Sequence, residues 1–326
     1  MAARAQDVFL AVSLDVEEEG LFGGTYQCRG AGVRNVAELV RLDGLCRRGI
    51  RPTLFCAHSV FADAEACHTL ERMRDTCGAE IGAHLHHWNT PPLPRDDTLS
   101  RVPSAAVPQE AMAAKLDSLF AAARQFQGAP VTSFRMGRWD LHRQHWPLLA
   151  EAGVKVDASV RPLHGRTPGG NPDHFSAPAN PYWVDAGTQR IFEVPLTVTP
   201  LVPCLRSLLN GPARALQSSF HMWGALALLP VYHPLWAMKA ITSLYLARGG
   251  KVLSLTWHSS EMMPGGAPHI PDEQAVARLL HKIDAYVRWL QQGWNVRCCT
   301  MEQAREALGP EAPSPAGDNA CDWMCA

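Results

Sequence analysis

The stretch EIGAHLHHWN, residues 80–89, places three histidines within four positions directly after a short apolar run. In an extended chain alternate side chains share a face, so His84 and His86 are expected to point the same way. Two imidazoles on one side of a strand end are typical of a metal site, and catalytic zinc commonly takes two histidines and a carboxylate. The stretch therefore predicts part of a metal centre that needs a carboxylate from elsewhere in the chain.

The first apolar run of the chain ends in acids that could complete this centre. Residues 8–14 (VFLAVSL) are short, continuous and apolar, which predicts a buried strand. Asp15 and Glu17 follow two positions apart and can face the same side, whereas we interpret Glu18 and Glu19 as a solvated acidic turn. An acid directly after a buried parallel strand occupies the position at which α/β folds place their chemistry.

Apolar runs of strand length alternate with stretches of helical spacing over most of the chain. Further strands are predicted at residues 53–57, 79–83, 131–137, 154–157, 190–194, 251–257 and 295–298. Helices are predicted at residues 35–48, 61–76, 109–127, 141–152, 272–292 and 301–308. Such alternation predicts an α/β fold of parallel strands with right-handed crossovers, so that polar residues at the strand ends gather at one edge.

The length and composition fit one large domain. The chain has 326 residues, of which 47% are hydrophobic, and we expect a single domain over residues 1–308. Residues 224–247 contain a single charged side chain but are broken by prolines, so two buried or lid helices within an insertion at about 200–248 are expected rather than a membrane span. Contact of this helix pair with a membrane surface or a lipid tail is left open. Residues 309–326 are expected to form a disordered tail.

Charge and cysteine usage exclude several classes of protein. Lysine and arginine total 30 against 31 acidic side chains, which argues against a nucleic-acid partner. The first apolar run is too short and acidic for a signal peptide, and the ten cysteines form no CxxC pair. We therefore expect reduced thiols in a cytoplasmic protein, with location at the inner face of the membrane as an alternative.

Two further polar residues stand at the ends of predicted strands. Arg135 lies in the run 131–137, and His258 directly follows the run 251–257. A carboxylate and two histidines for a metal, a second carboxylate to take a proton from water and a separate histidine to protonate the leaving nitrogen are the groups that metal-assisted hydrolysis of an amide or ester requires.

These residues also stand in motifs that resemble the polysaccharide deacetylase (NodB-type) superfamily, and within it the WalW-like branch. The motifs are SLDVEE at 13–18, EIGAHLHHW at 80–88, FRMG at 134–137, DAS at 157–159 and LTWH at 255–258, within a resemblance over residues 8 to 300. The resemblance implies a distorted (β/α) barrel of about seven parallel strands. It also implies zinc or another divalent metal, such as cobalt, nickel or manganese, and hydrolysis of an N-acyl group on a sugar.

The resemblance assigns roles residue by residue. Asp15 would be the base, oriented by an ion pair with Arg135, and His258 would be the acid. The family's second aspartate is replaced by Val16, which cannot bind a metal, so Glu17 is the expected substitute. The two carboxylates could also exchange roles.

A second departure from the family concerns the second histidine ligand. His84 matches the family's first ligand, but Trp88 stands where the family has its second. His86 is the best candidate because it shares a face with His84, and His87 is the alternative if a turn begins at His86. Both departures also leave a metal-free site open.

Three more residues are candidates for substrate binding. Glu193 ends a predicted strand and could bind sugar hydroxyls or pair with an arginine. Asp157 could support Arg135 or His258, or cap the following loop. Trp88 could stack on a sugar face or pack in the core.

The expected function is removal of an acetyl or formyl group from a sugar of a cell-surface polysaccharide or of its lipid- or nucleotide-linked precursor. The alternatives are a metal-free amidase of the same fold and a non-catalytic carbohydrate-binding protein.

Overall fold

The computed structural model of the protein describes residues 7–24, 26–93, 102–166, 170–202, 204, 209–210 and 213–313. The strands are β1 (Asp7–Val16), β2 (Thr53–Ala57), β3 (Glu80–Leu85), β4 (Ser133–Met136), β5 (Val156–Asp157), β6 (Tyr182–Asp185), β7 (Arg190–Glu193), β8 (Val198–Pro200), β9 (Ala225–Ala227), β10 (Val252–His258) and β11 (Asn295–Cys299). The α-helices of these residues are α1 (Asp43–Cys46), α2 (His58–Phe61), α3 (Ala64–Cys77), α4 (Gln109–Gln127), α5 (Trp146–Glu151), α6 (Gln217–Trp223), α7 (Leu235–Ala247), α8 (Glu273–Gly293) and α9 (Met301–Leu308).

Seven strands run parallel in the order β10–β1–β2–β3–β4–β5–β7, which confirms the predicted α/β barrel architecture. The parallel strand β11 pairs with the first half of β1, and β6 pairs antiparallel with β7. Strands of a parallel sheet are covered on both faces and therefore read as continuous apolar runs. Accordingly, β1 is buried at every position from Leu10 to Val16.

The register of the sheet sets polar residues side by side at the carboxyl ends of the strands. Asp15 pairs with His258 between β1 and β10, and His84 pairs with Arg135 between β3 and β4. In open and closed parallel sheets this is the edge at which ligands bind. The pairing of the strands alone therefore brings four of the predicted site residues together, without a contribution from the loops.

The barrel opens between β7 and β10, and one side chain crosses the gap. No ladder joins these two strands in the described part of the chain. The Thr197 hydroxyl donates to the Val252 carbonyl at 3.2 Å and accepts from the Ser254 amide at 2.8 Å. The antiparallel pair β8–β9 begins directly after Thr197, so the chain leaves the barrel at this opening.

The interior of the barrel below the site is filled by an aromatic ring. The Phe55 ring lies 4.3 Å, centroid to guanidinium, from Arg135. A Cβ at Gly82 would lie 2.6 Å from the same ring. Glycine in the EIG sequence thus leaves room for an aromatic floor beneath Arg135.

Several local predictions differ from the structure, and three of the differences concern whole elements. The helix predicted at 35–48 is a 3-10 helix (Arg34–Leu42) that continues into α1. Strand β6 was not predicted, because it is a single short antiparallel strand next to a proline-rich stretch. Residues 224–247 contain one helix, α7, which begins after Pro234, while the preceding residues form β9 against β8.

The structure also bears on the predictions about membrane spans, cysteines and the C-terminal tail. No helix among the described residues has both the length and the apolar character needed to cross a membrane. The cysteines within the described ranges are free thiols, as expected. The predicted disordered tail lies outside the described residues beyond Pro313, and residues 309–313 contact Trp183, whose Nε1 donates to the Gly309 carbonyl at 2.8 Å.

Candidate active site

Three side chains of metal-ligand type meet at the carboxyl ends of β1 and β3. Glu17 Oε2 lies 3.3 Å from His84 Nε2 and 3.2 Å from His86 Nε2. The ligand atoms of the three residues all lie within 4.8 Å of one another, and the three side chains are buried. The structure therefore brings together the three residues that the sequence suggested as ligands.

Each imidazole presents Nε2 to this shared gap because its Nδ1 is already engaged. His84 Nδ1 donates to the Arg135 carbonyl at 3.0 Å, so Nε2 is the nitrogen that is left to face the gap. His86 Nδ1 lies 2.8 Å from Glu18 Oε1. Metal-binding histidines usually hold their second ring nitrogen in this way, against a carbonyl or a carboxylate. The donor set and its supporting contacts thus fit a zinc-like ion.

Glu18 was interpreted from the sequence as part of a solvated turn, and that interpretation is wrong. Its side chain is buried at 1% exposure, and it orients His86. The physical reason is that the chain after β1 runs inward across the strand ends rather than out to solvent. Glu19 is the acid that turns outward, where it pairs with Arg34 at 2.8 Å.

Arg135 fixes the second carboxylate, Asp15. Its Nη1 donates to Asp15 Oδ1 at 2.6 Å and to the Thr256 hydroxyl at 2.9 Å. Its Nη2 donates to the Ser13 hydroxyl at 2.8 Å, and its Nε donates to the Ala158 carbonyl at 2.9 Å. All three guanidinium nitrogens are therefore engaged, and the group cannot rotate away from Asp15.

Asp15 is ionised in this setting. Burial works against its negative charge, but the charges of Arg135, His84 and His258 outweigh burial and lower its pKa below the ordinary value. Its Oδ1 is occupied by Arg135, whereas Oδ2 lies 3.7 Å from His258 Nε2. Oδ2 is therefore the oxygen that remains to accept a proton in the pocket.

A second carboxylate orients His258 on the opposite side. Glu261 Oε2 accepts from the His258 amide at 2.8 Å and lies 3.0 Å from His258 Nδ1. Burial alone would lower the pKa of His258, but Glu261, Glu17 and Asp15 raise it to about 10. His258 is therefore protonated at neutral pH, and its Nε2 faces the pocket.

Glu261 was not singled out from the sequence, although a signal was present. It stands three positions after His258, the spacing of a capping box at a helix start, and the structure shows that box. Its other oxygen lies 2.7 Å from His269 Nε2. A carboxylate thus links two histidines at this side of the pocket.

Glu17, His84 and His86 are called the ligand group below, since they are the candidate metal ligands. The other residues of the histidine stretch surround the ligand group rather than join it. His87 Nε2 lies 3.1 Å from the Val102 carbonyl, away from Glu17. The Trp88 ring stacks on His86 with centroids 4.3 Å apart and is buried. Trp88 thus packs against His86 in this conformation, and its predicted contact with sugar stays a prediction.

Asp157 and Glu193 form a buried carboxyl pair across β5 and β7. Asp157 accepts from the Ser159 hydroxyl at 2.7 Å, and Glu193 accepts from the Val160 amide at 3.1 Å. Burial raises the pKa of both groups, and their mutual repulsion raises that of Glu193 further. These contacts support the turn after β5, and the predicted roles of both residues in substrate binding stay predictions.

The turn after β4 is shaped around the ligand group. A Cβ at Gly137 would clash with the His86 ring and would lie 2.7 Å from the Leu85 carbonyl. Arg138 and Trp139 both have a φ of 58°, a left-handed conformation that costs a non-glycine residue about 1–3 kcal/mol and is concentrated at functional sites. This strained turn holds the Trp139 ring 5.0 Å from the Arg135 guanidinium.

Comparisons with known proteins support the fold. No protein-family profile and no curated protein matches the sequence. Among solved structures, the chain is similar to a candidate polysaccharide deacetylase from Mycobacterium smegmatis, with a TM-score of 0.57 and 16% identity over 96% of this chain and 94% of that one. A candidate glycoside hydrolase/deacetylase from Parabacteroides distasonis gives a TM-score of 0.62 and 10% identity over 95% of this chain and 73% of that one.

A third solved structure, the Puue allantoinase, gives a TM-score of 0.57 and 13% identity over 96% of this chain and 93% of that one. At such low identity these likenesses concern the fold alone. They confirm the predicted NodB-like distorted barrel, whereas the assignment to the WalW-like branch stays a prediction.

Proposed function

We propose that the protein is a metal-dependent hydrolase that removes an N-acyl group, acetyl or formyl, from a sugar. The observation that carries the proposal is the division of one buried site into two parts. Glu17, His84 and His86 converge on a shared gap on one side. Asp15 and His258 face each other at 3.7 Å beside it, each fixed by a charged partner.

The residues fit a divalent ion on the evidence of their own contacts. Glu17, His84 and His86 would hold it, since both imidazoles turn Nε2 toward the carboxylate. When bound, an ion such as zinc would polarise the acyl carbonyl and make the attacking water more acidic. Cobalt, nickel and manganese can be held by nitrogen and oxygen donors as well.

Asp15 is the proposed general base. Arg135 holds Oδ1 and keeps the carboxylate ionised, so Oδ2 can take a proton from the attacking water. The Thr256 and Ser13 hydroxyls keep the guanidinium in place during this transfer. The contribution expected from a positioned base is about 10²–10⁴-fold.

His258 is the proposed general acid. Its Nδ1 is held by Glu261, so Nε2 carries the proton that the leaving nitrogen needs. Its elevated pKa keeps that proton in place at neutral pH. Base and acid stand on neighbouring strands, β1 and β10, because the register pairs Asp15 directly with His258.

A sugar of a cell-surface polysaccharide, or of its lipid- or nucleotide-linked precursor, is the proposed substrate class. The likeness in fold to a candidate polysaccharide deacetylase favours a carbohydrate. The Trp139 ring at the mouth of the site is partly exposed and suits stacking on a sugar face. A lipid-linked precursor is favoured by large apolar side chains exposed between residues 201 and 236. They are Leu201, Val202, Leu216, Met222, Trp223, Tyr232 and Trp236.

The test is acetate or formate release from N-acylated sugars by chelated protein with and without added zinc or cobalt. Metal should restore release to the wild type, and His84→Ala should show neither release nor bound metal. His87→Ala is the matched control, because His87 neighbours the ligand group but contacts Val102 instead. Equal release by wild type and His84→Ala at equal metal content contradicts the proposal.

A metal-free amidase of the same fold is the second candidate, and one observation favours it. His86 Nε2 lies 3.2 Å from Glu17 Oε2, and His86 Nδ1 lies 2.8 Å from Glu18 Oε1. The histidine cluster can therefore satisfy its own charges as ion pairs. Elemental analysis separates the two candidates, since only the first expects close to one metal per chain in active protein.

A further inference from the structure

An arginine that the proposed mechanism does not use lies beside the same site. Arg161 follows β5, and its guanidinium lies 5.5 Å from the centroid of the Trp139 ring. The Arg135 guanidinium lies 5.0 Å from the centroid of that same ring. Arg161 is therefore separated by one aromatic ring from the group that fixes the proposed base.

Arg161 has no counter-ion among the residues that the structure describes. Its Nε is buried without a hydrogen-bond partner there, although the side chain as a whole is partly exposed. Burial lowers its pKa to about 10, so the group stays charged at neutral pH. A buried donor without a partner calls for a ligand, an ion or a water molecule, and a guanidinium favours an oxyanion.

The charge of Arg161 reaches two stacked histidine rings, since burial first and then this charge lower the pKa of both His164 and His221. The His164 and His221 rings stack with centroids 4.7 Å apart, and Nδ1 of His221 is also buried without a hydrogen-bond partner among the described residues. Burial first, and then the charge of Arg161, lower the pKa of His164 to about 2 and that of His174 to about 3. These rings are neutral at pH 7, so Arg161 supplies the charge. His164 Nδ1 already donates to the Pro162 carbonyl at 3.3 Å, and Nδ1 of His221 is the ring nitrogen that is left to add a hydrogen bond.

The charge of Arg161 also acts on a tyrosine whose ring neighbours the acid side. The Tyr232 phenol interacts electrostatically with Arg161, and its ring lies 5.9 Å from that of His269. His269 in turn contacts Glu261, which holds His258. The Trp139 ring that Arg161 shares with Arg135 thus places Arg161 beside the base side of the same site.

We propose that Arg161, with His221, forms a subsite for an oxyanion carried by the substrate, either a phosphate or a sugar carboxylate. The planar guanidinium can bind either group through two parallel hydrogen bonds. The claim that the oxyanion belongs to the substrate rests on the proposed function. The claim that Arg161 binds an anion does not depend on it.

Calorimetric titration of the full chain with inorganic phosphate tests the site without relying on hydrolysis. The wild type should bind phosphate saturably, and Arg161→Gln should bind it roughly tenfold more weakly or worse. Arg161→Lys keeps the positive charge but loses the planar guanidinium with its paired donors. Its affinity for phosphate should therefore lie between those of the wild type and Arg161→Gln. Arg124→Gln on the exposed end of α4 is the control for the loss of one positive charge. Absence of saturable binding to the wild type, or equal binding by Arg161→Gln, overturns the inference.

Glucose 1-phosphate and glucuronate, titrated separately, distinguish the two sources of the oxyanion. Tighter binding of the first assigns a sugar phosphate, and tighter binding of the second assigns a sugar acid; in either case Arg161→Gln should abolish the preference. Failure of acyl release with Arg161-dependent binding intact rejects the proposed function alone. Acyl release with binding and KM unchanged in Arg161→Gln rejects the subsite alone.

Discussion

Two histidine–carboxylate pairs stand on opposite sides of the site, and they differ in what their free nitrogen faces. His86 Nδ1 lies 2.8 Å from Glu18, and His258 Nδ1 lies 3.0 Å from Glu261. The His86 side chain is 2% exposed and its Nε2 faces Glu17 at 3.2 Å. The His258 side chain is 27% exposed and its Nε2 faces Asp15 at 3.7 Å.

The difference shows that a carboxylate behind an imidazole does not by itself decide the role of the ring. His86 converges with His84 and Glu17 on a closed gap, which suits a metal ligand. His258 has one acidic neighbour across an open pocket, which suits proton transfer to a substrate. The surroundings of Nε2, and not the partner of Nδ1, separate a ligand from an acid.

The largest expected effect comes from removing one ring of each pair. His258→Ala should lower kcat by about 10²–10⁴-fold while the metal content stays that of the wild type, because only the proton donor is lost. His86→Ala should lose both metal and activity. Acyl release and elemental analysis on the same preparations measure both, with His68→Ala on the surface of α3 as the control. Metal loss in His258→Ala would show that the two pairs are not distinct.

The carboxylate behind the ligand histidine is the next position to change. Glu18→Gln keeps the shape of the side chain but weakens its hold on His86, so metal affinity should fall by about 10–100-fold. Competition with a chromophoric chelator measures that affinity. Glu19→Gln, one residue further along and paired with Arg34, should leave it unchanged. Equal metal affinity in both variants would show that Glu18 does not contribute to metal binding.

Glu18 also shows where inference from the sequence stops. Strand ends could be located from apolar runs, and register at a parallel edge then brings Asp15, His84, Arg135 and His258 together. The direction of the chain after β1 depends on contacts that local pattern does not contain. One of these is the Ser259 hydroxyl, which accepts from the Glu17 amide at 3.3 Å from 242 positions away.

The helical and proline-rich segments show the same limit. The helix α4 matches its prediction, because a long amphipathic repeat decides its own structure. The pairing of β8 with β9 depends on the opening of the barrel beside Thr197, and this opening exists only once the whole sheet has formed. Arg161 was not singled out from the sequence, because the absence of a counter-ion among the described residues becomes visible only in three dimensions.

A smaller effect is expected from glycine substitution beneath the ligand group. Gly137→Ala would press a methyl group against the His86 ring, at a cost of about 1–3 kcal/mol in overpacking. The midpoint of urea unfolding and the metal affinity should both fall. Gly293→Ala is the matched control, since a Cβ there meets nothing within 4 Å and its φ is not positive. A variant that loses stability but keeps full metal affinity would show that this turn supports the fold and does not position the proposed metal ligands.

The smallest effect at neutral pH, and the sharpest test of the acid side, is expected for Glu261→Gln. In the proposed mechanism the rate requires protonated His258, so it falls as pH rises through the pKa of that ring. Burial lowers this pKa, and Glu261 is the leading group that raises it to about 10. Glutamine removes the charge, so the alkaline limb of the kcat profile should move to lower pH while the acidic limb, set by Asp15, stays in place.

The profile of kcat against pH measures this displacement, and Glu273→Gln on the exposed face of α8 is the control. Metal content should not change, because Glu261 contacts His258 and His269 rather than the ligand group. A shift of the acidic limb instead would assign the titrating proton to the carboxylate side, and His258 would then have to be regarded as a positioning residue for Asp15. An unchanged alkaline limb would mean that the charge of Glu261 does not reach the proton that the leaving nitrogen receives.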